Sequence, residues 1–77
     1  MAEILSKQYI LERVAENIRL ERKRKRLSQE ALAELVNVST NHITNIENNK
    51  TNPTITIIVN LCRVLNLDLN KILKTNN

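Results

Sequence analysis

Leu27-Ser28-Gln29-Glu30-Ala31-Leu32-Ala33-Glu34-Leu35-Val36-Asn37-Val38-Ser39-Thr40-Asn41-His42-Ile43-Thr44-Asn45-Ile46-Glu47 is the stretch on which the fold turns. Ser28 is a good N-cap for a helix from Gln29 through Val36, in which Leu32, Ala33 and Val36 fall on one side. Asn37-Val38 interrupts that spacing. Ser39 then caps a second segment through about Asn48, with Ile43 and Ile46 facing inward. Ala33 is small where two helices must approach, Asn37 stands at the turn, and the β-branched Ile43 follows six residues later. Leu32, Val36, Val38, Ile43 and Ile46 make one apolar wedge. The spacing predicts two short helices, nearly perpendicular, with the outer face of the second left free.

That free face carries Ser39, Thr40, Asn41, His42, Thr44 and Asn45, with no acid before Glu47. A merely solvated helix face usually carries Glu and Lys. Asn and Thr are poor helix formers, so this composition answers a requirement other than stability. Asn can pair bidentately with adenine, and Thr offers a hydroxyl or a methyl to a base edge. Base reading in the major groove of double-stranded DNA is the function the residues themselves suggest.

Working outward, Ile10/Leu11, Val14/Ala15 and Ile18 recur every four residues and predict a long first helix from Ser6, which can cap its start, to about Lys25. The basic run Arg22-Lys23-Arg24-Lys25-Arg26 suits its negative end. After the turn-rich Asn48–Pro53, Thr54 caps a fourth segment, Ile55 to Leu65. Here Ile55-Thr56-Ile57-Ile58-Val59 has the local propensity of a strand, but the cap, the length and the later spacing Ile58, Leu61/Cys62, Leu65 favour helix. Asn66 ends it, and Asp68 caps a last short helix through about Lys74; the final three residues read as a frayed tail. The chain has no glycine. Helix ends that need a left-handed residue must use the next most tolerant one, and Asn37, Asn49 and Asn66 stand where such residues are expected.

Seventy-seven residues allow one domain, 1–77, and a core so small gains from oligomerisation. The formal charge of +4 favours a polyanionic partner, although a basic run at a helix end can also be plain solvation. No Trp or Phe accompanies that run, which argues against a membrane surface. No apolar stretch is long enough to span a bilayer, and the N-terminus lacks the order of a secretion signal. A lone Cys62 makes no internal disulfide and fits a reducing cytoplasm. One His and one Cys are neither a metal set nor a catalytic constellation, so no enzyme, metal, cofactor or small-molecule ligand is expected.

Residues 14–73 resemble the helix-turn-helix regulators of the Cro and phage-repressor type, the Xre family. The likeness rests on Asn17-Ile18-Arg19, Arg22, Leu27-Ser28-Gln29-Glu30-Ala31-Leu32-Ala33, Val38-Ser39, Ile43, Ile46-Glu47, Asn52-Pro53 and Leu65-Asn66-Leu67. The resemblance implies an all-α, five-helix domain whose second and third helices form the motif, dimeric on a two-fold-symmetric operator. It implies that Thr40, Asn41, Thr44 and Asn45 read bases. Phosphates would be held by Gln29, Ser39, His42, Asn49, Lys50, Thr51 and Arg22. Arg22 would also pair with Glu47 beneath the DNA surface.

The sequence departs from the family at Arg26, where a glycine is usual after the first helix. Arg26 must strain into a left-handed conformation or end the helix differently. The capping box at Ser28 is also incomplete, with Ala31 where Glu or Gln would complete it. A homodimer seam is expected around Leu67, Leu69, Ile72 and Leu73, residues that could equally close the core of one chain. For an activator, the acidic cluster Glu30 and Glu34 is a candidate contact for RNA polymerase, although exposed Glu on a helix usually serves solubility. A cytoplasmic transcriptional regulator follows, of the restriction-modification controller or small prophage-repressor kind. The alternative is an antitoxin that also binds a partner protein, through residues 1–13 or through Ile57 and Val59.

Overall fold

The structure, a computed structural model, describes residues 3–74. They form five helices and no strand: α1 (Lys7–Arg24), α2 (Gln29–Val36), α3 (Thr40–Glu47), α4 (Ile55–Leu65) and α5 (Leu69–Ile72). Each helix starts on the side chain the sequence offers as its cap. Ser6, Ser28, Ser39 and Thr54 accept from the backbone N–H three residues on, and Asp68 accepts from Asn70 two residues on. Such a cap stabilises its helix by about 1 kcal/mol. The last helix stops at Ile72, two residues short of Lys74. Residues 75–77, expected to fray, lie outside the described residues.

Four of the five helices end in the same way. A left-handed residue donates its N–H to the carbonyl three back, and the next residue donates to the carbonyl five back. After α1 these are Arg26 to Lys23 (2.9 Å) and Leu27 to Arg22 (3.1 Å); after α2, Asn37 to Glu34 (3.3 Å) and Val38 to Ala33 (3.0 Å). The pairs after α3 are Asn49 to Ile46 (3.1 Å) and Lys50 to Asn45 (2.8 Å), and after α4 Asn66 to Arg63 (3.3 Å) and Leu67 to Cys62 (2.8 Å). The left-handed φ values lie between 56° and 59°. Asn tolerates this region and Arg does not, so Arg26 costs on the order of 1 kcal/mol.

Ile18, Leu32, Ile43, Ile46, Leu61 and Leu65 are the largest fully enclosed side chains, contributed by all four long elements. Each stabilises by roughly 1.5–3 kcal/mol through loss of apolar surface to water. The strand-like run at Ile55–Val59 is helical because packing outweighs propensity. Ile58, Leu61, Cys62 and Leu65 share one helical face and all are buried, whereas strand alternation would split them. Burial also pushes the Cys62 thiol above its ordinary pKa, with the Asp68 charge adding to the effect. It packs as a small apolar side chain. Arg13 Nε donates to the Ile72 carbonyl at 2.8 Å, tying the N-terminal half of α1 to the end of α5.

Candidate nucleic-acid interface

Helix α3 is fixed from beneath. Ile43 and Ile46 are buried in the core, and Glu47 is only 7% exposed. Arg22, 8% exposed at the last turn of α1, meets the Glu47 carboxylate in a fork: Nε to Oε2 at 2.6 Å and Nη2 to Oε1 at 3.0 Å. Its Nη1 donates to the Leu27 carbonyl at 2.7 Å. Two parallel bonds of this kind lock orientation as well as distance. The pair adds little net stability over an apolar substitute, but loss of one partner strands the other charge. Both ends of the guanidinium are turned inward, so Arg22 stands as scaffold. Little of it is left for the phosphate contact also expected of it.

The network extends one step nearer the surface. Gln29 Nε2 donates to Glu47 Oε1 at 3.1 Å, and Thr44 Oγ1 donates to Gln29 Oε1 at 2.9 Å. Its polarity is forced, because Arg22 can only donate and the Glu47 carboxylate can only accept. Gln29 must therefore turn its NH₂ to Glu47 and its oxygen to Thr44, which leaves Thr44 as the donor. The other acceptor near that hydroxyl, the Thr40 carbonyl at 3.1 Å, is also internal. Thr44 consequently has a methyl and a lone pair, but no proton, to offer a ligand. Gln29 keeps one N–H free at the start of α2.

Asn41 is exposed and Asn45 half-buried, and neither carboxamide makes a hydrogen bond among the described residues. Thr40 is exposed beside them. Ser39 accepts from the His42 N–H at 3.0 Å, so its hydroxyl proton stays available at the positive end of α3. The His42 ring is half-buried on the same first turn. Beyond α3, Asn49 and Lys50 are exposed and Thr51 is half-buried. The residues singled out from the sequence thus lie along α3 and at both of its ends, with Gln29 at the start of α2 bonded to it. The Gln29 bridge had escaped sequence reasoning. Thr44 and Glu47 share a face of α3 at i, i+3, but Gln29 comes from another helix, so only the fold reveals the three together.

The residues expected at a dimer seam divide. Ile72 is 6% exposed and belongs to the core of the single chain, whereas Leu67, Leu69 and Leu73 are partly buried against that core. The exposed large aliphatics are Ile4, Leu20, Leu35, Ile55 at 69% and Val59 at 45%, and of the helices only α4 carries two of them. A groove of about 200 Å³ runs beside Ile55, lined by Ile10, Val14, Pro53, Ile58, Leu69 and Leu73 among others. No helix of the described residues is long and apolar enough to cross a membrane.

A polar, uncharged helix face, set one tight turn after α2 and braced by an ion pair to α1, is the arrangement of a DNA-reading motif. A helix-turn-helix family model matches residues 18–72. The chain belongs to the Xre-type helix-turn-helix family. Its solved likenesses include the wild-type restriction-modification controller protein C.Esp1396I, at 27% identity over 88% of this chain and 96% of that one, with a TM-score of 0.72. The restriction-modification controller protein C.AhdI from Aeromonas hydrophila is similar at 26% identity, covering 80% of this chain and 94% of its own, TM-score 0.72. A hypothetical transcription factor, NHTF from Neisseria, matches at 26% identity over 95% of this chain and 82% of that one, TM-score 0.77. No curated protein matches the chain in sequence. The family and fold are those of DNA-binding transcription regulators, and no enzymatic family is indicated.

Proposed function

We propose that this chain is a sequence-specific regulator that binds a two-fold-symmetric operator as a homodimer, in the manner of a restriction-modification controller. The observation that carries the reading is the pair of unengaged carboxamides, Asn41 and Asn45, on a helix locked by the Arg22–Glu47 fork. In the major groove a carboxamide satisfies the N6 and N7 edge of adenine with two bonds. Thr44, with its proton spent, contributes a methyl or accepts from an exocyclic amine. Gln29, Ser39, His42, Asn49, Lys50 and Thr51 hold the flanking phosphates and set the register. An activator of this build would meet RNA polymerase through Glu30 and Glu34, exposed on α2.

The homodimer follows from reach. An eight-residue recognition helix spans about 12 Å and reads only a few base pairs, too few to mark one site in a genome. A second copy doubles the reading. The seam is assigned to the exposed Ile55 and Val59 with the partly buried Leu67, Leu69 and Leu73, of which Leu69 and Leu73 line one groove with Ile55. Selection of bound fragments from the source genome tests the proposal. It should enrich one inverted repeat whose half-sites lie about one helical turn, roughly 34 Å, apart. Enrichment of no motif, or of an asymmetric one, would overturn it. If the enriched motif is symmetric but the protein alone stays monomeric and co-purifies with a second protein seated on α4, the antitoxin reading replaces the homodimer.

A further inference from the structure

The four matching helix ends expose two departures. At three of them the left-handed residue is Asn, and at three the residue after it is aliphatic and packed against the core: Leu27, Val38 and Leu67. The exceptions are Arg26 in the left-handed position after α1 and Lys50 in the following position after α3. Both are cations, both are exposed, and each stands where the local structure is better served by something else. Lys50 already has a place among the expected phosphate contacts. Arg26 has none.

Charge pairing narrows the basic run at the end of α1: Arg22 is consumed by Glu47, and Arg24 and Lys25 both pair with Glu21. Lys23 and Arg26 make no ion pair among the described residues, and of the two only Arg26 stands in the turn that leads to α2. It sits two residues before Ser28, the cap of α2, whose first residue Gln29 bonds to both Thr44 and Glu47 of the recognition helix. Its backbone N–H is anchored to the Lys23 carbonyl at 2.9 Å, so the turn that carries its exposed side chain is held to α1.

We infer that Arg26 is a DNA phosphate contact, holding the strand that passes the start of α2, and that its left-handed backbone is tolerated for this reason. The inference rests on the DNA-binding reading above. It makes a prediction of opposite signs: Arg26→Asn, which copies the other three helix ends, strengthens the fold and weakens binding.

The full chain is measured on a duplex carrying the selected operator and on random duplex, at salt between 50 and 200 mM. Three variants are compared with it: Arg26→Asn, Arg26→Lys and Lys7→Gln. Lys7 is exposed fifteen residues before Arg22 on α1, about 22 Å along the helix axis, and controls for loss of one positive charge. Arg26→Asn should raise Tm by about 4–8 °C. It should also lower the salt slope by about one, so that affinity falls roughly three-fold less across that salt range, on both duplexes alike. Arg26→Lys should keep the slope without gaining Tm, and Lys7→Gln should leave the slope unchanged. An unaltered slope in Arg26→Asn, or an equal drop in Lys7→Gln, overturns the inference while leaving DNA binding intact. Failure of the wild-type chain to bind either duplex overturns the DNA reading itself, and this inference with it.

Discussion

Helices α3 and α4 follow one another in the chain, each begins on a hydroxyl cap, and each buries one aliphatic face. Their outer faces differ. That of α3 shows Thr40, Asn41 and Asn45, while that of α4 sets the aliphatic Ile55 and Val59 among Thr56, Asn60 and Arg63. Neither surface is explained by the stability of a single chain, since Asn and Thr lower helix propensity and exposed Ile and Val leave apolar area in water. The contrast separates two tasks. A face of amides without charge suits a partner that presents hydrogen-bonding edges, and an aliphatic face suits one that excludes water. On the reading proposed above these are a DNA groove and a second copy of the chain.

The comparison breaks most visibly on the α4 side. Ile55→Asp places an acid in the first turn of α4, where the helix dipole favours it, so folding is expected to be unharmed. If Ile55 lies in the seam, sedimentation should show a monomer. Operator affinity should then fall by about 10²–10⁴-fold, because the two half-sites no longer cooperate. A variant that remains dimeric and binds as before would move the seam away from α4.

Next in size is the brace under α3. Glu47→Ala strands the buried Arg22 guanidinium and frees Gln29 and Thr44, and should cost about 3 kcal/mol of stability, read as a large fall in Tm. Operator affinity should fall with it, since the recognition helix loses its orientation. Substitution without loss of either would leave the pair as ornament. Asn41→Ala has no internal partner to strand, so its stability should change by less than about 0.5 kcal/mol. On the selected operator it should lose about 1–3 kcal/mol, and the base preference at one position of each half-site should relax. Equal losses on operator and random DNA would show that Asn41 does not read a base. The stability gap between these two variants is the sharper form of the comparison, because it divides residues that hold α3 from residues that α3 holds out.

What could be read from the sequence follows the same division. Local signals were enough for the helices: five capping residues and three Asn in left-handed turns can be named from the chain alone, because each acts on its immediate neighbours. The helical state of Ile55–Val59 needed the longer spacing to overrule local propensity. Contacts between elements were less legible. The Arg22–Glu47 pair was available only through resemblance, and the bridge from Gln29 to Thr44 carries no spacing signal at all. Burial separated two residues that composition could not. Ile72 and Leu73 look alike in the sequence, yet one closes the core and the other lines the groove beside α4.

The smallest expected effect lies at the end of α3, where Lys50 occupies the position that Leu67 fills after α4. Leu67 packs against the core from that position, and Lys50 is exposed. Lys50→Ala should therefore leave Tm nearly unchanged, and Lys50→Leu should raise stability by a few tenths of a kcal/mol if a leucine there can reach the contact Leu67 makes. On DNA both variants should weaken binding to every sequence in the same proportion and reduce the salt slope by about one. If the slope stays while Lys50→Leu stabilises the fold, the lysine answers some need other than phosphate binding. If slope and stability both stay, the ends of α3 and α4 differ for a reason neither packing nor DNA supplies.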